Sequence, residues 1–337
     1  MRRRILLTGA ASLVGAEVLR DLLRRRDVES ICLLMPADGA RAMARLRGYV
    51  GHSADSVTTI VCNLHSPHFG LSSTAWDSLA VSFDLGIHCA QREVADQNVE
   101  RAREANVLPV ENWIALLDRN PALRLHHLST AFIGGTRRGL LTEFDLDCGQ
   151  QFHNAWERSK FEAEGALRAS GASDRVTVYR PSHTLGCSTG ESFDLGGSFP
   201  LLATLSSSSV LPGDAHARID LVPADYVASS MVELACANAT GTFHLACGWE
   251  DSLPVRTAAN LAAKARGRSR GARMLPRAIA WPLRLAHSSL AFTAARDLLH
   301  QGPVFDTFLS DQALQPLGVF RPAPQSWLAS SVRRAVK

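Results

Sequence analysis

The chain has 337 residues, of which 46% are hydrophobic and 20% charged. That is enough apolar material for one large α/β unit with a smaller appended lobe, and too much for a disordered or fibrous chain. The formal net charge is +4, and the basic residues are scattered, with no basic stripe among stacking aromatics, so nucleic acid is not indicated as a partner.

The opening "MRRRILLTGAASLVGAEVLR" imitates a leader, but Thr8, Gly9 and Ser12 interrupt its apolar run and the amphipathic pattern continues through Leu22 and Leu23. It reads as mature structure. "RILLT" predicts a buried strand, and Leu13, Val14, Val18, Leu19 and Leu22 share one face of the helix that follows. A strand, a glycine turn and a helix in that order open a dinucleotide-binding βαβ unit. The turn runs Thr8-Gly9-Ala10-Ala11-Ser12-Leu13-Val14-Gly15. Its first and last glycines permit the bend and the close helix packing, while Ser12 stands where a middle glycine would let the backbone approach a pyrophosphate.

"ESICLLMP" predicts the second strand, ended by Pro36. Further strands are expected at Ser56 to Asn63, Phe83 to Ala90, Arg124 to Thr130, Arg175 to Pro181 and Gly241 to Cys247, with helices from Arg92 to Leu117 and from Phe152 to Arg168. This alternation implies a Rossmann-type, doubly wound parallel sheet. "ATLSSSSVLPGDAHA" is the expected mobile loop. No later stretch offers about 18 uninterrupted apolar residues, so no membrane span is expected. The seven cysteines (Cys32, Cys62, Cys89, Cys148, Cys187, Cys236, Cys247) include no CxxC pair; they read as reduced thiols of a cytoplasmic protein, with no metal role.

Several stretches, in order, carry a resemblance: "LLTGAASLVGAEVLRDLL", "CNLHSPHFGLSSTAWDSL", "IHCA", "REANV", "HHLSTAF", "SKFEAE", "VYRPS", "STGE", "IDLVPADYVA" and "VFDTFLSDQALQPLGVFRPAP". Together the chain resembles the extended short-chain dehydrogenase/reductases, in their thioester-reductase and fatty-acyl-reductase branch. The resemblance implies a cofactor domain of residues 1–180 plus 216–247 and a substrate lobe of residues 181–215 plus 248–337. It implies NADP or NAD as cofactor, and a homodimer by analogy.

In that superfamily a Ser or Thr, a Tyr and a Lys act together, the Tyr and Lys four residues apart on one helical face. Thr130 or its neighbour Ser129 matches the first, and Lys160 matches the lysine. The tyrosine position is Trp156, whose indole cannot give up a proton near neutral pH. His153, one turn earlier, and His183, after the strand end at Pro181, are the candidate substitutes, since histidine titrates near 6.5.

The cofactor residues implied are Thr8, Gly9, Ser12, Leu13, Val14, Gly15, Lys160 and Pro181, with Asn63 and Leu64 after the third strand and Cys89 and Ala90 after the fourth. The arginine that relatives carry after the second strand is replaced by Met35 and Pro36, and Arg41 could meet a 2′-phosphate instead. Relatives' Gly-Asp after the third strand is Cys62-Asn63, and Gln91 replaces a small residue after the fourth.

Two classes of enzyme follow, and one non-enzyme. The first is an NAD(P)H-dependent reductase acting in secondary metabolism on an acyl thioester or related carbonyl, with coenzyme A or a carrier protein as the thiol partner. The second is a redox-neutral cyclase, aldolase or lyase that uses the same cleft. The third is a non-catalytic scaffold. The basic segment Lys264 to Arg277 reads either as a solvated loop or as an electrostatic dock for the phosphates of coenzyme A or an acidic carrier protein.

Overall fold

The computed structural model describes residues 2–51, 57–93, 97–193, 199–214, 216–275 and 302–335. Ser56, Ala215, Pro276 and Arg277, named above, lie outside these residues. The first half runs β1 (Arg3–Thr8), α1 (Leu13–Leu22), β2 (Val28–Met35), α2 (Ala40–Val50), β3 (Val57–Val61), α3 (Ser73–Ser82), β4 (Leu85–His88), α4 (Val99–Asn106), α5 (Leu108–Arg119), β5 (Arg124–Leu128), β6 (Leu140–Leu141), α6 (Ala155–Ala169) and β7 (Val176–Pro181). The second half runs β8 (His183–Leu185), α7 (Phe199–Ser207), β9 (Val210–Pro212), β10 (Arg218–Ile219), β11 (Leu221–Pro223), α8 (Ala224–Cys236), β12 (Gly241–Leu245), α9 (Gly248–Asp251), β13 (Leu253–Pro254), α10 (Val255–Ala265), β14 (Arg273–Leu275), β15 (Val304–Phe305), α11 (Phe308–Leu314) and α12 (Pro324–Ala335).

One seven-stranded sheet has the order β12-β7-β5-β4-β1-β2-β3. β1 pairs in parallel with β2 and with β4, and the parallel pairing continues to β3 on one side and through β5 to β7 on the other. The expected doubly wound sheet is therefore present. Its apolar runs explain it: all four residues of β4 and the last four of β1 are buried, as strands covered on both faces require. The strand order reverses between β1 and β4, the point in such sheets where ligands bind beyond the strand ends.

The expected helix from Arg92 to Leu117 is two helices. Pro109 stands at the start of α5, where its missing N–H costs nothing, and the first helix closes at Asn106. α6 starts at Ala155 rather than Phe152, because Asn154 caps it by accepting from the Glu157 amide at 2.7 Å. The expected mobile loop is also ordered structure. Its residues end α7 and form β9, which pairs in parallel with β14, and Leu205 and Leu211 are buried.

The chain divides into two compact units: Met1–Gly135, Leu146–Arg180 and Ala228–Phe243 form one, and Thr136–Asp145, Pro181–Val227 and His244–Lys337 the other. The second therefore takes in residues 136–145, 216–227 and 244–247, which the sequence reading assigned to the cofactor domain. Strand pairing gives the reason: β6 pairs with β15, β10 with β13 and β11 with β8. Glu143, after β6, is buried and accepts from the amides of His244, Leu309 and Ser310 at 2.9, 2.8 and 3.0 Å.

In the second unit α7, α10 and α12 pack around Leu201, Leu205, Leu253, Ala258, Ala259 and Trp327. The basic segment beside them is partly structural. Arg268 donates to the carbonyls of Ser206, Ser207 and Ser208 at 3.0, 2.6 and 3.2 Å, closing the C-terminus of α7. Lys264 and Arg270 remain exposed. No described helix is long and apolar enough to cross a membrane. All seven cysteines are free thiols, and Cys148 is the exposed one.

Candidate active site

The turn after β1 is fixed by its two glycines. Gly9 has φ +74°, and a Cβ there would lie 2.3 Å from the Ala90 amide nitrogen. At Gly15 a Cβ would lie 2.0 Å from the Gly9 carbonyl oxygen. The turn thus presses backbone against backbone, and no side chain fits at either place. Ser12 is the N-cap of α1, and its Oγ accepts from the Gly15 amide at 3.1 Å. Serine at the middle position therefore closes the helix start. Leu13 and Val14 form the first turn of α1, where backbone N–H groups have no intrahelical partner and no acidic side chain competes for them. This cradle fits a pyrophosphate.

The neighbouring strand ends complete the floor. The Thr8 carbonyl accepts from the Cys89 amide at 3.0 Å, and the buried Cys89 thiol is pushed up to about 12 by desolvation, so it stays protonated. Met35 ends β2 and is buried, while Arg41 lies exposed in the first turn of α2. Asn63 spends its side chain locally: Oδ1 accepts from the His65 amide at 3.1 Å and Nδ2 donates to Ser66 Oγ at 2.8 Å. The loop is held further by Asn112, whose Nδ2 donates to the carbonyls of Leu64 and Ser66.

On α6, Trp156 and Lys160 share one face, and Trp156 is half-buried. Lys160 is 1% exposed, and its Nζ donates to the Leu128 carbonyl at 2.7 Å. Burial lowers its pKa to about 8, against the opposing charges of Glu164 and Cys89. His153 belongs to the helix cap: its amide and its Nδ1 both face Glu157 Oε2, at 2.8 and 3.2 Å.

The two hydroxyls after β5 have different duties. Ser129 Oγ donates to Glu164 Oε1, and Glu164 is buried in a two-point ion pair with Arg180. Ser129 is thereby committed to the core. Thr130 Oγ1 accepts from the Phe132 amide at 3.2 Å, which leaves its own proton available to a ligand.

His183 and Pro181 belong to the second unit. His183 is half-buried on β8, and burial lowers its pKa to about 4, which keeps the ring neutral near pH 7. A neutral imidazole is a poor substitute for a phenolic acid.

Asn106 escaped the sequence reading. Its Nδ2 donates to the Arg92 carbonyl at 2.9 Å and to Ser159 Oγ at 3.0 Å, and its Oδ1 accepts from the Arg92 amide at 2.9 Å. It ties the loop after β4 to α6, one residue from Lys160. It lies in the stretch "REANV" that carries the resemblance, though no role was given to it there, and an asparagine late in a helix, where that residue type is disfavoured, is its other signal.

Comparison with known proteins agrees with this geometry. The terminal R domain of the myxalamid PKS-NRPS biosynthetic pathway has a similar structure, with TM-score 0.83, 25% identity and coverage of 99% of this chain and 90% of that one. The hybrid PKS-NRPS synthetase pvhA of Talaromyces variabilis is 26% identical over 71% of this chain and 6% of its own length. The aldehyde reductase lnaA of Aspergillus flavus is 26% identical over 70% of this chain and 25% of its own length. The chain thus spans a small part of these two curated relatives. The model of the family described as Male sterility protein matches residues 7–231, and the chain belongs to that family of NAD-binding domains, in the thioester-reductase-like branch of the extended short-chain dehydrogenase/reductases.

Proposed function

We propose that the chain is a reductase that uses NADPH or NADH to reduce an acyl thioester, carried by coenzyme A or a carrier protein, in a biosynthetic pathway. The observation that carries this reading is the placement of Lys160. It is a buried lysine four residues after Trp156, bonded to the end of β5 beside Thr130. The chain has only three lysines, Lys160, Lys264 and Lys337. Arginine supplies its remaining basic charge, and arginine could not give up a proton in this setting.

A dinucleotide in the glycine cradle would be held by the amides of Leu13 and Val14, with Arg41 free to meet a 2′-phosphate. When bound, its nicotinamide would supply a hydride to the acyl carbon and be left oxidised. The Thr130 hydroxyl donates to the carbonyl oxygen and so stabilises the charge that develops there. Lys160, poised near neutrality, gives the proton that the missing phenol would have given. Overall, the acyl carbon gains a hydride, its bond to sulfur breaks, the thiolate takes a proton, and an aldehyde and a free thiol leave. A thiolate is a stable leaving group, so this reaction depends less on a strong acid than ketone reduction does.

Trp156 favours a second reading, in which its aromatic face packs against an acyl chain and the reaction is redox-neutral. Titration with NADPH and NADH, followed by nicotinamide fluorescence, separates the two. Micromolar binding, with nucleotide oxidation on adding an acyl thioester, is the expected result. Product formation without nucleotide would establish the second reading. Under the first, Trp156→Tyr should raise the rate by about 10²-fold, the lower end of the usual 10²–10⁴ range for a placed general acid.

A further inference from the structure

Thr8, His88 and His127 stand side by side across three parallel strands, in the register Thr8↔His88 and His88↔His127. All three are buried. Thr8 Oγ1 and His88 Nδ1 share a hydrogen bond of 2.6 Å. The two imidazoles stack face to face, with centroids 5.2 Å apart and planes at 22°, so neither ring can satisfy the other. Among the described residues, His88 Nε2 and both nitrogens of His127 therefore have no hydrogen-bond partner. The indole nitrogen of Trp113 has none either, and its ring lies 6.1 Å from His88. Trp113 comes this close because residue 86 is glycine: a Cβ there would meet the indole at 2.4 Å.

Buried polar atoms are seldom left unpaired, and a site with two to four convergent donors and acceptors is where internal water is retained. Four such atoms belong to these three neighbouring side chains, and Lys160, bonded to the residue after His127, donates among the described residues to Leu128 O alone. Lys160 acts electrostatically on both histidines, which places its charge within their range. The other titratable groups facing the lysine are Cys89, just after β4, and Glu164 on α6.

We propose that His88, His127 and Trp113 enclose an internal water site against Lys160, and that His127 is a positioning residue that sets the proton load of this lysine through that water. Both rings are kept neutral by burial, His88 with a pKa of about 3. A neutral ring can accept from water while the water accepts from the ammonium, so the site supports the charged lysine without adding charge of its own. The water site stands on the geometry alone; its effect on turnover rests on the reductase reading.

With only three lysines in the chain, [ε-¹³C]lysine labelling gives three resonances, and Lys160→Arg identifies the buried one. Its titration is followed in the wild type, in His127→Phe, and in His127→Gln, which keeps a donor and an acceptor in similar volume. The Lys160 midpoint is expected to fall by at least half a pH unit in His127→Phe and to stay within about 0.2 of wild type in His127→Gln. In turnover, His127→Phe should shift the pH profile of kcat by the same amount while KM for nucleotide stays constant. An unchanged midpoint in a folded His127→Phe, shown by an intact near-ultraviolet dichroism spectrum, would overturn the proposal. Should His127→Phe fail to fold, an unaltered midpoint in Trp113→Phe combined with His88→Phe overturns it equally. A midpoint that depends on His127 in a protein that oxidises no nucleotide would retain the water site and remove the reductase reading.

Discussion

The glycine turn after β1 and the first turns of α6, tied by Lys160 to the last residue of β5, are built on opposite terms. In the turn every constraint falls on the backbone: Gly9 and Gly15 admit no Cβ because backbone from Ala90 and Gly9 occupies the space. On α6 the constraint falls on individual side chains: the cap residue Asn154, the half-buried indole of Trp156 and the buried Lys160. The difference matters for reading function. Packing demands these two glycines whether or not a nucleotide binds, so their presence is weaker evidence for the ligand than it looks. Lys160 carries a cost in the fold and no packing benefit that methionine would lack, so its presence is the stronger evidence for chemistry.

Substitutions at four positions would break or sharpen this contrast. Glu164→Ala should be the most damaging, because it leaves the Arg180 guanidinium, 0% exposed, without its carboxylate. A loss of about 3–5 kcal/mol in urea unfolding is expected. Lys160→Met should act in the opposite direction. The lysine's folded pKa of about 8 lies below its ordinary 10.5, so between these values the unfolded chain binds the extra proton and stability rises with pH. At pH 7 the methionine variant should be more stable by on the order of 3 kcal/mol. That advantage should shrink from pH 8 upward and vanish near 10.5, as thermal melts across the range would show; a pH-independent difference would contradict the buried charge.

Gly15→Ala should cost about 1–3 kcal/mol by overpacking and should weaken any nucleotide affinity along with it. Ser12→Ala removes only the α1 cap and should cost about 1 kcal/mol, with Ser12→Gly nearly neutral. If Ser12→Gly also tightens nucleotide binding, the serine was traded for helix stability at the expense of the ligand; an unchanged Kd would mean the amides of Leu13 and Val14 suffice.

Much of the fold was legible because its signals are local. The glycine turn, the apolar strands and the four-residue spacing of Trp156 and Lys160 all lie within single elements. The break between α4 and α5 could have been read from Pro109, had the residue been weighed against the amphipathic period that runs through it. Duties assigned by distant partners were not legible. Ser129 is occupied by Glu164, thirty-five residues away, and Asn106 by Ser159, fifty-three away. Arg268 looked like free charge because its acceptors, the carbonyls closing α7, are backbone atoms that no side-chain pattern announces. His127 read as one more strand residue, since the register that stacks it on His88 belongs to the sheet.

The excursion from Thr136 to Asp145 bears on the order in which the chain can fold during synthesis. This piece emerges in the middle of the first unit, yet among the described residues β6 pairs only with β15, and Glu143 accepts from Leu309 and Ser310 as well as from His244. More than 160 further residues must leave the ribosome before that strand finds its partner and the carboxylate its last two. The sheet from β3 to β7 can assemble earlier, from contacts already synthesised. Closing so long a loop makes the second unit the late and slow step of folding. A ribosome stalled before Val304 should therefore hold a protected parallel sheet while the 136–145 segment stays open to proteolysis.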